Sequence, residues 1–510
     1  MSCGAHGTPY TLAVFNEEGL LTTLSAAPAL DERSRHRAEI RNVIAMAVPG
    51  VITNSSRALM DLADYVMVTF LRSDDAQAAI LSSQLVFWTY TVLGTGIVMM
   101  VNTFAAQALG RKQYRECGAY AWQAMYAAVF LGLAAFAFRP LLPWLFAAIG
   151  HEPGVQAMER VYANIALWMV APTIASYALS SFFTGIHRPY TAMWSVIESN
   201  VLNVIISLVL MFGYLGFEPM GLAGAAWGTV IALTYRALRL AAAMFTPSMR
   251  TQFHVTETWR PSWTRIRDLL RVGVPCGLTY FSEIMVWTVF VTVLVGKMFG
   301  TADLIATNTA WQYLRISFLP TIGVGQALTA LVGKSIGAGQ LDRAKRETRF
   351  AVWLTWAFMG ALSIVYGFWG AQLIGLFNAD ERIVRIGANV MICAAFFQLF
   401  DAFGITYVSA LRGAGDTFVP AFFFVLSQWT MIVGGGWWVA TAFPRLGSVG
   451  PWIASATLIA VTAVFLWWRW RVGTWARLEI FREKHAAEAP LRAAYSVELP
   501  SEPIPRAAEP

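Results

Sequence analysis

Apolar stretches long enough to cross a bilayer recur along this chain near residues 42–71, 80–107, 119–138, 158–183, 191–214, 221–244, 268–296, 304–332, 350–371, 383–411, 418–441 and 448–468. About 20 residues of helix suffice to span the hydrocarbon core, so the pattern predicts twelve transmembrane helices joined by short polar connections. Composition agrees. The chain of 510 residues is 57% hydrophobic and only 13% charged, with a mean hydropathy of +0.54, whereas soluble domains carry about 25% charge. The expected class is an all-α polytopic membrane protein.

The formal net charge of +7 does not mark a nucleic-acid footprint, because the basic residues are unevenly placed. Odd-numbered loops hold only Arg72, Arg139, Arg160, Lys297, Arg382, Arg385 and Arg445. Most of the others fall at the chain ends and in even-numbered loops, which by the positive-inside rule puts both termini in the cytoplasm of a cell whose inner or plasma membrane holds the protein. Arg57 and Arg315 lie inside spans. The four cysteines show no metal spacing, and no basic leader precedes a cleavable apolar run. No HExxH, Ser/His pair or Asp-rich motif stands at a membrane face, so an enzyme is not expected and no cofactor is implied.

An internal repeat organises the spans. Pro49 is matched by Pro275, Gly110 by Gly337, Gly185 by Gly413 and Gly221 by Gly447, at offsets of 226 to 228 residues. Six spans per half return the chain to its starting side, so the halves share an orientation and form two six-helix bundles about an axis along the membrane normal. The resulting division is an N-terminal cytoplasmic segment (1–41), an N-lobe (42–245), a basic cytoplasmic linker (246–267) tethering bodies that can rock, a C-lobe (268–470) and a largely disordered tail (471–510). Pro49, Pro172, Pro275 and Pro320 are candidate bend points. Gly94, Gly96, Gly323 and Gly325 would admit close helix approach.

Carboxylates inside the spans are the candidate chemistry. A central acid costs roughly 2.5 to 3.5 kcal/mol to insert, so it faces a protein interior or a wet cavity. Asn54, Arg57, Asp61 and Asp64 lie on one face of span 1, where Arg57 can pair with Asp61 one turn on. Asp64 then serves either packing or ion and substrate binding. On span 7, Tyr280, Glu283 and Trp287 share a face, placing aromatic rings beside an acid as an organic cation would require. Gln398 and Asp401 are neighbours on span 10. With Glu283 they would offer oxygen ligands to a monovalent cation, or share a proton when no cation is bound. At the 226-residue offset Glu283 is matched by Arg57.

These features resemble the multidrug and toxin extrusion (MATE) transporters, most closely the NorM-like branch, over about residues 40–470. The resemblance rests on PGVITNSSRALMDLAD from Pro49 to Asp64, PCGLTYFSE from Pro275 to Glu283, DAFGITYVSALRGAGDT from Asp401, VGKSIGAG after span 8, and ESNVLNVIISLVLMFG with MGLAGAAWGT in spans 5 and 6. It implies a monomeric twelve-helix secondary transporter that exports organic, often cationic and aromatic, drugs in exchange for sodium ions or protons. Asp64, Glu283 and Asp401 would be the coupling carboxylates, the last two in a C-terminal cation site. A lipid-linked flippase of the same superfamily is the alternative; it would need a strongly basic cavity. The match departs at Ser207, seven residues after Asn200, where proton-coupled relatives carry Asp, and at Arg315, which would displace a cation if it reached Glu283 or Asp401.

Overall fold

A computed structural model describes residues 32–71 and 73–481, so the tail from 482 and most of the N-terminal segment lie outside the described residues. The described residues are almost entirely helical, with no strand. They fall into two units, 1–42 and 43–510. The first is helical from Glu32, where α1 begins. The second takes up α1 from Val43 and holds all the other helices.

The helices are α1 (Glu32–Thr69), α2 (Asp74–Val98), α3 (Val101–Gly110), α4 (Tyr114–Phe136), α5 (Leu142–Ile149), α6 (Pro153–Gly185), α7 (Pro189–Phe212), α8 (Leu222–Met244), α9 (Pro247–Phe253), α10 (Trp263–Val289), α11 (Thr301–Gly337), α12 (Leu341–Gly375), α13 (Glu381–Ala414), α14 (Phe418–Ser427), α15 (Gly436–Ala442) and α16 (Val449–Val472). Among the described residues eleven spans are long and apolar enough to cross a membrane, and α8 with α9, bent by 60°, brings the number to twelve. Pro49, Pro172, Pro275 and Pro320 all sit inside continuous helices. The backbone irregularities lie elsewhere: π-helical turns at Phe290–Lys297, continuing α10, and at Gln428–Gly435, joining α14 to α15, and a non-helical Trp369 within α12.

In the first half α6 packs against α2, α4 and α8, while in the second α13 packs against α11, α12 and α16. The second half is centred on aromatics. Trp287 and Trp311 meet edge to face at 4.6 Å between centroids, and Trp452, fully buried, lies 5.4 Å from Phe290. Such pairs add about 0.5 to 1.5 kcal/mol each beyond their burial.

The halves meet through glycine. An added Cβ would fall 2.6 Å from the Gly323 carbonyl oxygen at Gly50, and 2.6 Å from the Gly277 Cα at Gly96. At Gly110 it would fall 2.2 Å from the Lys334 carbonyl oxygen, and at Gly337 2.1 Å from that of Gln107. Shifting Gly50 and Gly96 by 227 residues gives Gly277 and Gly323, so the first two contacts are one contact seen twice. Gly110 shifted likewise is Gly337. Glycine costs a helix about 1 kcal/mol relative to alanine, and here it lets backbones touch. Polar bonds cross the same seam: Asn102 Nδ2 donates to the Gln326 carbonyl at 2.9 Å, Thr103 Oγ1 to the Arg412 carbonyl at 2.8 Å, and Gln107 Nε2 to the Gly413 carbonyl at 3.0 Å.

The linker is not a slack tether. Trp122 Nε1 on α4 donates to the Val255 carbonyl at 2.8 Å, and Gln123 bonds both the Arg260 carbonyl and the Ser262 amide. Arg265 then grips Glu116 in a two-pronged pair at 2.9 and 3.1 Å. The start of α10 is thereby fixed to the first half, on the side of the molecule termed here the connection face.

On that face His187, in the turn between α6 and α7, reaches the Ala330 backbone of α11 beside Lys334 and Arg343. Burial first, then the Lys334 charge, pushes its pKa down from 6.5 to about 3. Its Nε2 has no hydrogen-bond partner among the described residues. As the pH falls below about 6.5, a conformation that exposes His187 takes up a proton and the closed one does not, so closure loses about 1.4 kcal/mol per pH unit down to about 3. Alkylation of a reporter at Thr103→Cys, with natural cysteines replaced and each rate divided by that of a free thiol at the same pH to remove the titration of the thiol itself, should therefore rise up to roughly tenfold between pH 6.5 and 5.5. In a His187→Gln background the rise should vanish.

Candidate functional site

Two adjoining cavities open in the first half and share Arg57, Tyr177, Val196 and Arg236. One reaches the seam at Asn54, Gly323 and Gln326, and the other runs past Trp88, Asp64 and Asn200. Asn54 Nδ2 lies 3.4 Å from Gln326 Oε1, linking α1 to α11. Arg57 lies over the Trp88 ring, 4.0 Å from its centroid, and 5.3 Å from that of Tyr177. The Asp61 side chain lies outside the described residues, and with it the expected Arg57–Asp61 pair. Asp64 is buried on the cavity wall.

Asn200 donates to the Ser56 carbonyl at 2.9 Å and to its hydroxyl at 2.8 Å, tying α7 to α1. Ser207 packs against Gly228 of α8, where an added Cβ would stand 2.2 Å from the hydroxyl oxygen. A carboxylate would not fit that contact. Glu198 has an ordinary structural role, pairing with Arg239 at 3.2 Å and accepting from the Tyr235 hydroxyl at 3.1 Å.

In the second half Glu283 of α10 and Asp401 of α13 are close enough to feel each other's charge. Arg412 joins them. Its guanidinium, 9% exposed, acts electrostatically on Glu283, and its Nη1 donates to the Tyr280 hydroxyl at 2.8 Å while lying 4.9 Å from the ring centroid. Arg315, by contrast, is exposed on α11 and makes no ion pair among the described residues. Trp287 turns into the aromatic core with Trp311, Phe290 and Phe397. Gln398 is fully buried, and neither of its amide atoms makes a hydrogen bond among the described residues.

The structure thus brings Tyr280, Glu283 and Asp401 into one group, and Asn54 and Asp64 onto the walls of the first-half cavities. The sequence reading missed Arg236 and Arg412. Arg412 stands one residue past the apolar run 383–411, where it counts with the loop, and α13 continues past it; Arg236 lies inside the run 221–244, and the packing around α8 buries it. Among the described residues no three metal-ligating acids, histidines or cysteines cluster.

Comparison with known proteins agrees with this architecture. The MatE family model matches residues 49–209 and 275–435, two segments at the 226-residue offset of the repeat. A probable multidrug resistance protein NorM from Mesorhizobium japonicum is 28% identical over 446 residues, covering 85% of this chain and 94% of its own. One from Rhodopseudomonas palustris is 29% identical over 87% of this chain and 93% of its own. The fold also matches a solved outward-facing multidrug resistance MATE transporter of the MOP superfamily, with a TM-score of 0.78 and 20% identity over 86% of this chain and 97% of that one. With both halves matched by the family model on a fold of up to twelve membrane-crossing helices, the chain belongs to the MATE family of multidrug efflux transporters.

Proposed function

We propose that the protein is a secondary antiporter, exporting small organic compounds across the inner or plasma membrane in exchange for a sodium ion or a proton, with the connection face toward the cytoplasm. The grouping of Glu283, Asp401 and Arg412 carries this reading. Two carboxylates against one guanidinium leave the group one positive charge short, and a buried uncompensated charge is costly. A single monovalent cation or proton makes up the difference. Its arrival and departure then alter the electrostatics between Glu283 of α10 and Asp401 of α13, and α10 meets α2 of the first half across the Gly96–Gly277 contact. Coupling requires such a shared element, whose two arrangements the ion and the substrate favour differently.

Purified full-length protein in liposomes provides the test. Flux of a fluorescent aromatic substrate should accelerate under an imposed sodium gradient or an imposed pH gradient. If neither gradient changes the flux, antiport is wrong. Whichever one does names the coupling ion.

A further inference from the structure

The chain returns to the seam after its last span. Gly473, in the left-handed conformation (φ +76), ends α16 and turns the backbone into a short 3-10 helix, Thr474–Arg477, which meets α13 and α16. Trp475 is 1% exposed, and its ring lies flat on Trp470 at 4.1 Å between centroids. Its Nε1 donates to the Trp470 carbonyl at 2.8 Å. This end of the strap belongs to the second half, in a buried cluster with Leu411, Ala414 and Leu466.

Six residues later the strap is inside the first half. Ile480 passes over Gly415, the left-handed cap of α13 (φ +86), where an added Cβ would strike its Cγ2. It is 7% exposed, in a core with Phe104, Tyr120 and Phe253. Phe481 stands edge-on to Phe104 of α3 and Tyr120 of α4, each 5.7 Å away between centroids, and the Arg111 guanidinium lies 4.7 Å from its ring centroid. Arg111 follows Gly110, and Gly415 lies two residues past Gly413, so the strap crosses beside the backbone contacts that close the connection face.

Parting α3 from α11 and α13 carries Trp475 one way and the Phe104–Tyr120 pair the other. The Phe481 end is the one to release, because it is half-buried and held by ring edges, whereas Trp475 is enclosed and hydrogen-bonded. Release exposes Ile480 and Phe481 to water, which favours the docked arrangement. We infer that residues 474–481 are a latch, anchored at Trp475 and docked at Ile480 and Phe481, that holds the connection face closed and must undock for it to open. As a statement about the transport cycle this rests on the export reading; as a statement about the closed face it does not.

The test reads alkylation of the full-length protein in liposomes at one pH, with natural cysteines replaced. One of two buried reporters is present, Thr103→Cys at the seam or Ser317→Cys within α11. Losing a contact made only in the closed arrangement shifts the balance toward the open one. Phe481→Ala should raise labelling of Thr103→Cys roughly tenfold, and Phe481→Leu, which keeps apolar bulk without the ring edges, about threefold. Leu478→Ala, on an exposed part of the strap, should leave it unchanged. Labelling of Ser317→Cys at the wild-type level shows that a variant is folded; where Phe481→Ala raises it, Phe481→Leu decides. Wild-type labelling of Thr103→Cys in a folded Phe481 variant would overturn the latch. In a second measurement, Phe481→Cys and Arg111→Cys are joined by a reducible bis-maleimide. Gradient-driven flux should be lost on cross-linking and return on reduction, and undiminished flux in the cross-linked protein would equally overturn the latch. If no gradient drives flux even without the cross-link, the export reading fails while the labelling still judges the latch.

Discussion

Gly337→Val holds the connection face open. The new Cβ would stand 2.1 Å from the Gln107 carbonyl oxygen and 2.9 Å from the carbon that bears it. Both belong to the backbone of α3, so no side chain can swing away, and ordinary contact is regained only if α11 retreats. Forcing extra carbon into a packed contact costs typically about 1 to 3 kcal/mol. Because the cost falls only on the closed arrangement, it shifts the open-to-closed balance by roughly five- to 150-fold. Alkylation of Thr103→Cys should rise accordingly. Gly375→Val is the control, since nothing lies within 4 Å of its added Cβ. Labelling that matched the wild type in Gly337→Val would mean that the seam does not open during the cycle.

Neutralising one acid of the second half should have the larger effect on transport. With Glu283→Gln or Asp401→Asn, one carboxylate faces one guanidinium and the group is already neutral, so no site for a cation or proton remains. Gradient-driven flux should fall at least about tenfold in each single variant, corresponding to about 1.4 kcal/mol or more of lost coupling. Arg412→Gln acts in the opposite sense: it leaves two carboxylates without their cation, and retention of the coupling ion should increase while release slows. Breaking a buried charge group costs about 3 to 5 kcal/mol of stability, so flux is to be compared at equal inserted protein and with substrate affinity measured alongside. Two correctly inserted single variants that respond to the gradient like the wild type would remove the acids from the coupling mechanism.

The fold was largely legible because it follows from averages over many residues. A run of about 20 apolar residues has few ways to satisfy its backbone in lipid, and a helix is the simplest. The repeat was legible for a related reason: Pro49 and Pro275, or Gly110 and Gly337, punctuate the chain at fixed distances. Site residues depend instead on where single side chains end. Helical spacing places Trp287 on the face of Glu283, yet its ring is captured by Trp311 and Trp452 from distant spans. Arg412 was hidden by helix length, since a shift of a few residues in the end of α13 decides whether a guanidinium is a loop charge or a buried one, whereas Arg236 lay inside a predicted span and only the packing around α8 shows that it is buried. That Arg412 and not Arg315 attends Glu283 is a fact of tertiary structure. No local pattern encodes it.

The seam of paired glycines also has a meaning in terms of symmetry. Its contacts map onto themselves when the halves are exchanged, which is the defining property of an isologous interface, the kind that joins two copies of one chain in a dimer. The molecule therefore carries a dimer interface inside a single polypeptide. Fusion relieves the two partners of the need to be identical, so positions away from the seam are free to differ. Arg57 and Glu283, matched at the 226-residue offset and opposite in charge, show what that freedom allows: a guanidinium on the cavity walls of one half and a carboxylate beside Arg412 in the other, joined by surfaces that remain interchangeable.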